Sequence, residues 1–202
     1  EYADRMPESQ KYIYYAAGDT VASIDSLPQT ELLKERGMEI LYCTDRADEF
    51  LADSLRTYDG KEFRSAVDGD LGLEDEPKTQ ESESDKECLA FIKETLGDRV
   101  DEVKASQKLK SHPVCMTSGE GLTFEMEKYF QAVQPELSMK AKRILEVNVA
   151  HPAFLKLESV RATDPELAKK YAEVLYNQAL LIAGLPLADP SGYTDLVCSL
   201  WS

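Results

Sequence analysis

Two consecutive helix-forming stretches near the end of the chain constrain its fold most, because neither can hide its own apolar residues. The first opens at Asp164-Pro165-Glu166 and stops at Gly184. Asp as N-cap satisfies orphaned N–H groups, Pro brings a preset φ to the first helical position, and Gly tolerates the left-handed backbone past the last turn. Between those signals Leu167, Tyr171, Val174, Leu175, Gln178, Leu181 and Ile182 recur at helical spacing. Ala168, Ala172, Ala179 and Ala183 thin the flanks so that another helix can approach closely. The second stretch begins Asp189-Pro190 and carries Tyr193, Leu196, Val197 and Leu200, with Trp201 beside them. A helix of roughly a dozen residues is marginal alone in water, so it must dock. Two solutions stand open: the hairpin caps its own domain's core, or it forms a bundle with a second copy, closed twofold dimers being the commonest oligomers. The second solution nominates Tyr171, Leu175, Leu181, Ile182, Tyr193, Leu196, Val197 and Leu200 as a dimer interface.

The 202 residues suffice for one large domain or two small ones, each with its own core. Lys and Arg number 23 against 38 Asp and Glu, a net charge of −15 that argues against a nucleic-acid backbone or an anionic membrane surface as partner. The longest apolar run, 179–183, is far too short to span a bilayer, and no signal peptide opens the chain, so a cytoplasmic location is expected. Cys43, Cys88, Cys115 and Cys198 lie far apart without a Cys-x-x-Cys pair; they read as reduced thiols, with neither a metal site nor a dithiol redox motif. The start, Glu1-Tyr2-Ala3, lacks an initiator Met and reads as the interior of a helix, as in a fragment.

Along the chain, residues 11–17 (Lys-Tyr-Ile-Tyr-Tyr-Ala-Ala) are β-branched and aromatic, hence a strand bounded by Gly18-Asp19. Helices are expected over 20–26 and 29–36, the latter stopped by Gly37. Residues 38–43 are almost continuously apolar and predict a central strand of a parallel sheet covered on both faces. A helix from Asp45 to about Tyr58, with Ala47, Phe50, Leu51 and Leu55 inward, leads through Asp59-Gly60 to a strand over 61–67. The order β-α-β-α-β describes a small three-layer α/β subdomain, residues 1–72. Gly18 stands alone, with neither Gly-x-Gly-x-x-Gly nor a Gly-Lys-Ser/Thr loop, so this unit reads as scaffold rather than nucleotide site. From 68 to 87 the chain turns acidic and polar, interrupted by Pro77, which marks an acidic linker, residues 73–84.

The remainder, 85–202, reads as α+β: a helix over 85–96 with Cys88, Leu89, Ile92 and Leu96 inward, strands over 100–106, 114–117 and 143–147, a helix over 151–162, and then the hairpin. Gly119 and Gly121 form a hinge ahead of a helical face made of Leu122, Met126, Tyr129 and Phe130. Such a stripe serves either as core or as an adaptable binding surface, for which the flexible Met thioether is suited. No residue set supports catalysis. His112 precedes Cys115 by three positions but across Pro113, His151-Pro152 reads as a helix start, and Ser118 lacks the Gly-x-Ser-x-Gly frame. Catalytic, cofactor and metal sites are therefore all expected to be none.

Several segments resemble one family. Tyr2-Ala3-Asp4-Arg5-Met6, Gln10-Lys11-Tyr12-Ile13-Tyr14-Tyr15, Glu39-Ile40-Leu41-Tyr42-Cys43-Thr44-Asp45 and Asp48-Glu49-Phe50 are similar to the last part of the middle domain of heat shock protein 90 chaperones. Met126-Glu127-Lys128, Ile144-Leu145-Glu146-Val147-Asn148, His151-Pro152 and residues 175–184 (Leu-Tyr-Asn-Gln-Ala-Leu-Leu-Ile-Ala-Gly) resemble the C-terminal domain of the bacterial, HtpG type. The resemblance implies an α/β subdomain, then an α+β dimerisation domain over 85–202 whose last two helices build a four-helix bundle in a homodimer. It also implies a stress-response chaperone that assists protein folding, with Leu122, Met126, Tyr129 and Phe130 offered to unfolded clients. The family's usual Trp before that helix is Leu122 here, and its Asn-Pro-x-His-Pro is Asn148-Val149-Ala150-His151-Pro152. The chain ends at Trp201-Ser202 without an acidic Met-Glu-Glu-Val-Asp tail, so no tetratricopeptide cochaperone is implied. ATP and Mg belong, by the same resemblance, to an ATPase domain upstream of this piece. The alternatives are a free-standing acidic adaptor binding through 119–130, and a thiol enzyme using Cys115.

Overall fold

The computed structural model describes residues 1–7, 10–67, 70–73, 81–119 and 121–201, without the side chains of 46, 47 and 53. Most of the acidic stretch 73–84 lies outside the described residues. The chain forms two compact units, residues 1–76 with 118–141, and residues 77–117 with 142–202. Both are mixed α/β structures.

The first unit starts with a short helix, α1 (Tyr2–Arg5), and then β1 (Tyr12–Ala17). Thr20 caps α2 (Val21–Asp25) through a reciprocal bond with Ser23, and α3 (Glu31–Glu35) leads to β2 (Ile40–Cys43). After α4 (Arg46–Leu55) a two-residue strand, β3 (Thr57–Tyr58), turns through Asp59 and Gly60, both at positive φ, into β4 (Lys61–Ser65). The sheet order is β2-β1-β4-β3. β1 runs parallel to both neighbours, with Tyr14 opposite Ile40 and Tyr12 opposite Glu62, and β3 pairs antiparallel to β4. Tyr14, Ala16, Ile24, Leu32, Leu33, Ala66 and Leu71 form the core. The buried Tyr14 hydroxyl donates to the Leu71 carbonyl at 2.8 Å, so its polar tip carries no burial penalty.

Two sequence expectations fail here. The apolar run 38–43 yields an edge strand, half-buried throughout, while the centre of the sheet is β1. A continuous apolar run reports that both faces of a strand are covered, not that both edges are paired. On α4, Leu51 is 56% exposed and Leu55 is also exposed, whereas Glu49 and Ala52 face inward. Residues 49 and 52 share one helical face and 51 and 55 another, and the sheet takes the first.

In the second unit a Ser82–Asp85 capping box opens α5 (Glu83–Leu96), whose Cys88, Leu89, Ile92 and Leu96 are buried as their spacing requires. β5 (Glu102–Ala105) and β6 (Val114–Thr117) flank β7 (Ile144–Val147), parallel and antiparallel respectively. His151 caps α7 (Pro152–Arg161), its Nδ1 accepting from the Ala153 N–H at 3.1 Å. The last helices are α8 (Pro165–Ile182) and α9 (Pro190–Ser199). α8 packs on β6, α5 and α7 through Ala168, Ala172, Leu175, Ala179 and Leu180, all buried; the alanines allow the close approach their spacing anticipates. Arg99, beyond α5, grips the Glu173 carboxylate of α8 with both terminal nitrogens and lies over the Tyr176 ring, 5.3 Å from its centroid.

One charged group sits inside this unit's sheet. Glu146, on the central strand, is buried and accepts from Ser106 Oγ at 2.9 Å and Thr117 Oγ at 3.3 Å, with Lys104 and Lys108 Nζ at 3.6 and 3.7 Å. A buried carboxylate persists only with such partners. Nothing local in the sequence distinguishes it from the many surface acids.

Candidate functional site

Two apolar surfaces merit description, one in each unit. In the first, α6 (Phe124–Val133) begins at Thr123, whose hydroxyl accepts from the Met126 N–H at 3.2 Å. Gly119 and Gly121 precede it at φ +70° and +106°, values that side-chain-bearing residues rarely adopt. Leu122, Met126, Tyr129 and Phe130 are all half-buried, neither solvated nor sealed in a core. Tyr129 and Phe130 meet Phe50 of α4: ring centroids are 5.2 Å apart for Phe50–Tyr129, 6.1 Å for Phe50–Phe130 and 5.7 Å for Tyr129–Phe130, all steeply inclined. This edge-to-face geometry suits the ring quadrupoles. The sequence carries no local signal for the triad, because Phe50 lies far along the chain from Tyr129 and Phe130.

A buried acid also holds α6. Glu127, 4% exposed, accepts from the Ala141 backbone N–H at 2.7 Å and from Gln131 Nε2 at 3.0 Å. That carboxylate closes the segment 118–141 on itself, fastening its return to the first turn of its own helix. Around this segment Val133, Leu137 and Met139 are exposed, as are Leu51 and Leu55 on α4, which contacts α6.

The second surface is the terminal hairpin. Asp164 accepts from the Leu167 N–H at 3.0 Å and Asp189 from the Gly192 N–H at 2.9 Å, so both caps form where their residue types require. Of the nominated interface residues, Leu181 is 52% exposed, and Tyr171, Ile182, Tyr193, Leu196, Val197 and Leu200 are half-buried. Leu175 differs: at 4% exposure it belongs to the core of its own unit. α9 leans on α8 but buries no residue, and Trp201 is 86% exposed.

A cleft of about 240 Å³ in the first unit lies at the carboxyl ends of β1 and β2, lined by Ala17, Gly18, Asp19, Cys43, Thr44, Asp45, Glu49 and Glu125. Four carboxylates make it hostile to a phosphate group. Burial, then Asp48 and Glu49, push the Cys43 thiol up to about 11, and burial likewise pushes Cys88 up to about 11; neither is a ready nucleophile near neutrality. Cys115 is fully buried in β6, out of a substrate's reach, and the His112 ring nitrogen lies 3.1 Å from Ser111 Oγ. Among the described residues no group of three His, Cys, Asp or Glu could hold a metal, and no helix is long and apolar enough to cross a membrane.

The first unit thus pairs a mixed sheet with the α6 face, and the second a mixed sheet with the terminal hairpin. The family can be stated: a family model described as "Hsp90 protein" matches residues 1–202, and the chain belongs to that family. It is 47% identical over 206 residues to the chaperone protein HtpG of Alkaliphilus metalliredigens, covering all of this chain and 33% of that protein. It is 46% identical over 203 residues to its counterpart in Oceanobacillus iheyensis (99% and 32%), and 44% over 204 residues to that of Bacillus subtilis (99% and 33%). The chain thus spans about a third of the length of the curated relatives it matches. These relatives do not favour the free-standing adaptor.

Proposed function

We propose that this chain is the dimerising and part of the client-binding portion of a chaperone of the HtpG type. Residues 1–72 serve as the end of the middle domain, 73–84 as an acidic connection and 85–202 as the C-terminal dimerisation domain. The parent acts in the cytoplasm as an ATP-dependent homodimer, with ATP and Mg handled outside this piece, which itself hydrolyses nothing. The observation that carries the reading is α9: a well-capped helix with no buried residue, beside exposed Leu181 and Trp201. Apolar surface of that kind is stabilised by removal from water, roughly 25 cal/mol per Å². A second hairpin related by a twofold axis covers it in the simplest way, giving a four-helix bundle.

Sedimentation equilibrium at micromolar concentration tests this. The chain should sediment as a dimer and Leu196→Glu as a monomer, because two carboxylates at the axis must be desolvated or drive the helices apart. A monomeric parent chain, or a variant that dimerises equally well, defeats the proposal. For the first unit, Leu122, Met126, Tyr129 and Phe130 provide the client contact, and millimolar ATP should leave the melting temperature unchanged. A ligand at a hundred times its Kd would add about 2.7 kcal/mol of stability, a readily visible rise.

A further inference from the structure

The first unit covers part of its own apolar surface. Tyr129 and Phe130 both turn their rings onto Phe50, so the most aromatic part of the α6 face is occupied by α4. All three rings remain half-buried, a contact that shields them without sealing them into a core. Meanwhile Glu127 fastens the segment 118–141 to itself through Ala141, so α6 keeps its shape without relying on the aromatic contact. The two attachments are chemically different: a charge-assisted hydrogen bond inside the segment, and ring edges between the segment and α4.

We propose that the contact of Phe50 with Tyr129 and Phe130 is an autoinhibitory mask, which an extended apolar segment of an unfolded polypeptide displaces in order to bind the same rings. This rests on the reading of α6 as a client surface. Association with the rings then competes with Phe50, and the measured affinity is the intrinsic affinity reduced by the fraction of molecules in which the mask is open. Removing Phe50 raises that fraction, so affinity rises although an apolar side chain has been lost.

The test compares the full chain with Phe50→Ala and with Phe50→Leu, which keeps bulk but loses the ring edges. Two probes are titrated: bis-ANS, an apolar dye, and a fluorescently labelled, reduced and carboxymethylated α-lactalbumin as unfolded polypeptide. Circular dichroism melting is recorded for each variant. The proposal expects dye emission and polypeptide affinity to rise several-fold in Phe50→Ala and less in Phe50→Leu, with the cooperative melt retained. If Phe50→Ala loses its melt, the Phe50→Leu comparison decides by the same criterion. Increased dye binding with unchanged polypeptide affinity keeps the mask and removes the client reading of α6. Unchanged or reduced dye binding in a folded variant overturns the mask, whatever the polypeptide does.

Discussion

α8 and α9 start with the same chemistry and finish in opposite surroundings. Each opens with an Asp side chain on a backbone N–H and a Pro in the first turn. Yet α8 buries five residues against β6, α5 and α7, whereas α9 buries none. Caps and propensity decide where a helix begins; they do not decide what its apolar face meets. α8 is stabilised from within its own unit, and the proposed dimer assigns the corresponding role for α9 to a second copy.

The largest effect should come from the buried side of that contrast. Leu175→Ala leaves a cavity and should cost about 2–5 kcal/mol in thermal or urea unfolding of the second unit. Leu196→Ala, measured where the chain is monomeric, should cost well under that, and equal losses would break the contrast. Next come the caps. Asp164→Ala and Asp189→Ala should each cost about 1 kcal/mol locally. The first should lower the melting of the whole unit, and the second should only speed amide exchange within α9; a global loss from Asp189→Ala would mean that α9 is integral to the monomer's core.

Thiol reactivity sharpens the comparison at the smallest scale. Cys198 on α9 is exposed, whereas Cys88 on the inner face of α5 is buried, and that burial pushes its thiol up to about 11, keeping it protonated near neutrality. Iodoacetamide should label Cys198 first in Leu196→Glu and more slowly in the parent dimer. Identical rates in the two proteins would show that no partner covers this part of α9.

Signals written in a few adjacent residues were legible in the sequence: the Asp-Pro caps, the buried stripe of α5, the strand over 114–117 and the helix start at His151. Features set by distant partners were not. The apolar run at 38–43 could not say which strand lay beside it, and Leu51 and Leu55 could not say which face of α4 the sheet would take. Leu175 sits among residues of the same pattern as Leu181, and only the packing of α8 separates core from surface. Phe50 with Tyr129 and Phe130, and Glu127 with Ala141, depend on the path of the chain between them. The family resemblance reached the α6 face by similarity of sequence, yet said nothing of the ring that covers it.

The strand order of the second unit also sets a timetable for synthesis. Among the described residues β5 and β6 each pair only with β7, and β7 is the last of the three to be made. On a ribosome adding about 5–20 residues per second, β5 waits on the order of seconds before any sheet can exist, and β6 waits while the whole of 118–143 emerges. Until then Val114, Cys115 and Met116, fully covered in the finished fold, have no sheet to join. The chain thus passes, during its own synthesis, through an interval with an unpaired strand of its own.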